Sequence, residues 1–130
     1  MISHTTVTAL ALAILVPYLA RIPGMAVHGP EWLWSYFPSL FGIGFFAAFA
    51  AIPGAALAFL AYLMPKQDIA FSLGAGLMTI ALFFLHATLD LASDSTAAIA
   101  LVIIPFMAMI AMAGGFAMGA AITWLARRKT

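Results

Sequence analysis

The chain has 130 residues, of which 66% are hydrophobic and only 7% are charged, against about 25% charged in an ordinary soluble domain. Five basic and four acidic residues leave a net charge of +1, too weak and too scattered a balance for a nucleic-acid partner. The absence of cysteine excludes disulfides, thiolate metal ligands and cysteine nucleophiles.

The charged residues gather at the ends of four apolar runs, roughly residues 5–20, 39–63, 69–91 and 97–126. A membrane crossing needs about 20 apolar residues. The pattern predicts an all-α membrane protein with four transmembrane helices in an up-down-up-down bundle. Residues 1–130 then form a single domain, with the lipid bilayer as its first partner. Little chain is left for a soluble domain.

The first run could be mistaken for a signal peptide. Its first eight residues contain no Lys or Arg, and no clear small-residue cleavage site follows, so it reads as a span. Pro17 near its end predicts a kink or an early stop. Tyr18 and Arg21 are expected to mark the membrane interface. The longest loop follows, punctuated by Pro23, Gly24, Gly29, Pro30 and Pro38. Within it, EWLWSYF begins after Pro30, which suits a helix's first turn, and Trp32, Trp34 and Tyr36 suit the headgroup region. A short interfacial segment is predicted there, serving as an aromatic belt or, more sharply, as a lid or docking surface. His28 is expected to be solvated.

The second run carries two ridges of small residues, Ala47, Ala51 and Ala55 on one and Ala50, Gly54 and Ala58 on the other. Small residues let helices approach closely in lipid. Pro53 in the same run predicts a bend. MPKQD then forms a tight turn, which implies antiparallel neighbours.

The third run holds the ionisable side chains. Ser72, Thr79, His86 and Ser93 recur every seven residues, and Gly76, Phe83 and Asp90 fall four residues after the first three. On a helix these make a thin polar stripe with His86 and Asp90 one turn apart. An ionisable group in hydrocarbon costs about 2–3 kcal/mol on insertion scales, so the stripe is expected to face protein or water. Ser72, Thr79, His86 and Asp90 then form a candidate proton or ion site. The plainer alternative is a His–Asp pair that pins one helix to its neighbour.

LASDST is a second short connection, in which Ser93, Asp94 or Ser95 could cap the fourth helix. The fourth run contains Pro105, four methionines (Met107, Met109, Met112 and Met118) and the spacing Ala111, Gly115, Gly119. That spacing is a sign of close helix contact, within the chain or with another chain. The run exceeds the bilayer thickness, so it must tilt, kink or protrude. Trp124 anchors its end ahead of Arg127, Arg128 and Lys129.

With four spans, Lys66 and the basic tail share one side and Arg21 lies on the other. The positive-inside rule then places both termini in the cytoplasm, and a bacterial cytoplasmic (inner) membrane is the expected location. Haem would need histidines at membrane depth, where only His86 qualifies. Copper would need methionines on one face, and Met107, Met109 and Met112 do not share one. Ser93, His86 and Asp90 are the right types for hydrolysis, but one helix cannot aim three groups at one atom. No catalytic residue, metal or cofactor is expected. In size the chain is similar to the four-helix transporters and channels that work as dimers. Its first span lacks the glutamate of the small multidrug exporters, and it has no fluoride-channel signature.

These readings favour a non-catalytic accessory, assembly or modulator subunit of a larger membrane complex. Its partners would be other membrane subunits or further copies of itself. A homo-oligomeric transporter or channel with a protonatable His86–Asp90 site is the alternative. A third is an immunity protein against a membrane-active toxin.

Overall fold

A computed structural model describes residues 3–37, 40–91 and 96–129. All regular structure among them is helical: α1 His4–Leu19, α2 Met25–His28, α3 Glu31–Trp34, α4 Leu40–Leu63, α5 Asp68–Ala87 and α6 Ala97–Arg128. Three helices are long and apolar enough to cross a membrane. α1 is a shorter apolar helix of 16 residues, about 24 Å at 1.5 Å per residue. Together the four fit a helical membrane bundle.

Register between the helices gives their directions. Gly54 of α4 lies against Ala9 and Ala13 of α1, while Phe46, two turns earlier, meets Tyr18 near the end of α1. Gly115 of α6 lies on Leu73 and Gly74 of α5, and Gly119 on Ala70. Both pairs therefore run antiparallel. α1 packs on α4 and α5, and α6 on α5 and α4. The core between them is apolar, built from Ala9, Ala13, Leu57, Met78, Leu82 and Met112, with several neighbours.

The glycines set how closely the helices meet. A methyl group added at Gly54 would sit 2.5 Å from the Ala9 carbonyl oxygen, and one at Gly115 would sit 2.5 Å from that of Leu73. Neither distance is tenable, so glycine is required at both positions. Gly115 and Gly119 thus lie buried against α5 of the same chain, and Ala111 is half-buried. On α4 the buried ridge is Ala50 with Gly54, whereas Ala47 and Ala51 are half-buried and Ala55 is exposed.

Two boundaries differ from the pattern in the sequence. α5 stops at Ala87 rather than 91, where Thr88 Oγ1 donates back to the Phe84 carbonyl at 2.9 Å. The segment after α1 forms two single-turn helices, α2 and α3. Pro17, Pro53 and Pro105 all sit inside helices that continue past them. The tight turn before α5 is closed by Lys66 at a φ of 68°, a left-handed conformation uncommon for a side chain of this size.

Candidate functional site: a buried arginine at one end of the bundle

The polar chemistry of the bundle collects where α1 ends, α4 begins, α5 ends and α6 begins. Arg21, two residues beyond α1, is 1% exposed. Its Nε donates to the Trp32 carbonyl at 2.8 Å, and Nη1 donates to the carbonyls of His86, at 3.0 Å, and Leu89. Nη2 donates to Ser35 Oγ at 3.3 Å, and Ser35 in turn donates to the Trp32 carbonyl at 3.1 Å. The last carbonyls of a helix have no partner within it and carry its negative dipole end. Arg21 meets that end of α5 with a planar fork that bonds several oxygens at once.

Aromatic rings enclose the guanidinium. Its Cζ lies 3.8 Å from the ring centre of Trp32 and 4.5 Å from that of Tyr36, distances at which a cation is attracted to a ring face. His28 stacks on Trp32 with centroids 4.0 Å apart. The indole edge of Trp32 rests on Gly24, where no Cβ stands in the way. Burial pulls the Arg21 pKa below its ordinary value, against the raising influence of Tyr36 and Asp90. The group nevertheless stays charged, as arginine does throughout proteins.

His86 is the second buried polar side chain, also 1% exposed. Its Nδ1 lies 2.7 Å from the Tyr36 hydroxyl. Burial raises the pKa of that hydroxyl, which keeps it protonated. Phe46 packs edge-on against the His86 ring, and Tyr18 edge-on against Tyr36.

The polar stripe of α5 does not survive as a stripe. Ser72 is exposed, Thr79 is half-buried and His86 is buried. A heptad repeat drifts by about 20° on a straight helix, so two heptads carry His86 about 40° round from Ser72. That rotation moves His86 into the buried arc with Met78 and Leu82. Asp90 lies beyond the helix end and is half-buried, so His86 and Asp90 are not one turn apart on a helix. Ser93, Asp94 and Ser95 lie outside the described residues.

The aromatic positions divide similarly. Trp34 and Trp124 are exposed, the latter with Arg128 Cζ 3.6 Å over its ring. Trp32 and Tyr36 turn inward on Arg21. Sequence reasoning took Arg21 for an interface marker and missed its central role. The available signal was an arginine followed by a segment with four aromatics, Trp32, Trp34, Tyr36 and Phe37.

Two cavities flank the cluster. One, of about 280 Å³, is lined by Arg21, His28, Glu31, Trp32 and Asp90. The other, of about 250 Å³, lies between α4 and α6 and is lined by Tyr36, Phe45, Phe46, Phe49, Leu101 and Val102 among others. Ser35 and Leu91 line both. Among the described residues no group of three or more His, Asp or Glu is placed to hold a metal ion. Comparison of the chain with protein-family models, with curated proteins and with solved structures finds no match. The chemistry of the cluster itself therefore carries the functional reading.

Proposed function

We propose that this chain is a non-catalytic accessory, assembly or modulator subunit of a larger membrane complex. One observation supports this reading above the others. Among the described residues the buried polar or charged side chains, Arg21 and His86, are both engaged within the chain. Arg21 ties α1 and the loop to the end of α5, and His86 ties α5 to Tyr36. This is how a clamp that holds helices in register is built. A proton relay would instead need a titratable group open to a path.

In this proposal all four apolar helices cross the membrane. The short α1 is accommodated by local thinning or by its exposed start. Arg21 is committed to internal carbonyls, so the headgroup-facing basic residues are Lys66, Arg127, Arg128 and Lys129, all at the other end. That asymmetry favours a bacterial inner membrane with both termini cytoplasmic.

The deciding experiment is the native mass of gently extracted protein at its natural expression level, with co-purifying chains identified. Stoichiometric foreign subunits are expected. A clean small multiple of 13.7 kDa, with proton-coupled flux in liposomes that His86→Ala abolishes, would replace this reading with the homo-oligomeric transporter.

A further inference from the structure

We propose that the cavity between α4 and α6 is a binding site for an uncharged aromatic hydrophobe, a single ring with a short alkyl substituent. Among the described residues that line it, none carries an ionised group. The loop and α4 contribute the rings of Tyr36, Phe45, Phe46 and Phe49, and α6 contributes Leu101 and Val102. Phe45 is 52% exposed, and Ala98, also on the lining, is exposed. The cavity therefore opens at the surface between the two helices. In a membrane bundle that surface faces lipid, where such a hydrophobe dissolves.

The polar side chains on this lining are already used. Ser35 Oγ accepts from Arg21 at 3.3 Å and donates to the Trp32 carbonyl at 3.1 Å, and the Tyr36 hydroxyl lies 2.7 Å from His86 Nδ1. A charged guest would lose its hydration and gain little in return. An unfilled apolar cavity costs stability in proportion to its volume, and a guest that fills it restores the missing contacts. Size sets the guest. An apolar cavity of about 150 Å³ takes up benzene, so one of about 250 Å³ holds a ring with a short substituent. The aromatic neighbours favour a ring, which they can meet edge-on or offset. Position disfavours a lipid tail. The lining residues of α4 and α6 lie within about three turns of the helix starts, so a tail would reach the cavity only with its headgroup drawn to the mouth. A free ring has no such tether.

The test uses the full chain in phosphatidylcholine nanodiscs, with 4-fluorotoluene as the probe and fluorine NMR as the readout. Protein-free nanodiscs give the signal of probe dissolved in lipid. The chain should add a saturable signal that reaches one probe per chain. The charged analogues 4-fluorobenzoate and 4-fluorobenzylammonium should add none. Val102→Phe should fill the cavity and abolish the signal. Ala98→Leu, at the exposed mouth, keeps the fold and should weaken binding about tenfold or more, so the test stands even where Val102→Phe does not fold. Lipid tails are present throughout, and a tail seated in the cavity would leave the probe no saturable signal. Absence of that signal, equal binding of the charged analogues, or wild-type binding by the Ala98→Leu variant would overturn the proposal. Binding is read on the isolated chain, so the outcome is independent of whether the protein is an accessory subunit.

Discussion

Arg21 Nη1 donates to the main-chain carbonyl of His86 at 3.0 Å, joining residues 65 apart in the chain and closing one end of the bundle. The same guanidinium holds the Trp32 carbonyl. The loop after α1 is thereby fastened to the end of α5.

Replacing Arg21 should cost more than replacing any exposed basic residue. Arg21→Met takes the donor from the carbonyls of His86 and Leu89, each a loss of about 1–3 kcal/mol, and leaves the Trp32 carbonyl with Ser35. Arg21→Lys should recover only a minor part, because an ammonium cannot reproduce the fork. Thermal unfolding in detergent, followed by helical circular dichroism, should rank wild type well above Lys and Lys above Met. Lys129→Met, at the exposed tail, should match wild type.

The bond between Tyr36 and His86 should appear as a coupling. Tyr36→Phe and His86→Phe should each destabilise, and a double-mutant cycle should return an interaction of about 1 kcal/mol. Additive effects would show that the 2.7 Å contact contributes nothing to folding.

Tyr36 also predicts an alkaline limit. Its pKa is raised by burial, so above the ordinary tyrosine value near 10 the folded state holds a proton that the unfolded state has lost. Stability from this group is complete below pH 10 and falls as pH rises further, by up to about 1.4 kcal/mol per pH unit. The slope should be shallower in Tyr36→Phe.

Two adjacent glycines should respond oppositely. A methyl at Gly115 would press on the backbone of α5, while one at Gly114 meets nothing within 4 Å. Gly115→Ala should therefore separate α5 from α6 and lower stability by about 1–3 kcal/mol. Gly114→Ala should raise it by about 0.5–1 kcal/mol through helix propensity. Equal effects would mean that Gly115 does not sit at a helix contact.

Gly24→Ala should unseat Trp32. The new methyl would collide with the indole edge, which rests on that glycine while Arg21 and His28 pack on the ring. A shift in tryptophan emission and a fall in melting temperature are expected, whereas Gly44→Ala, with open space around it inside α4, should leave the emission unchanged and, through helix propensity, not lower the melting temperature.

Composition and run length were enough to read the class and the helices. Charge is scarce and sits at run ends, so the limits of α1, α4 and α6 were visible within two residues or so. Small residues at 54, 115 and 119 marked places where a helix can come close, but not which helix would do so. These are local, one-dimensional properties that need no knowledge of neighbours. Which face of α5 is buried was decided by the tertiary structure, because a heptad drifts round a straight helix and the direction of the core is set by α1, α4 and α6 together. The role of Arg21 was also decided there. Its principal acceptors are the carbonyls of Trp32, His86 and Leu89. Every residue carries a carbonyl, so a side chain that bonds to the backbone leaves no mark in the sequence of its partners.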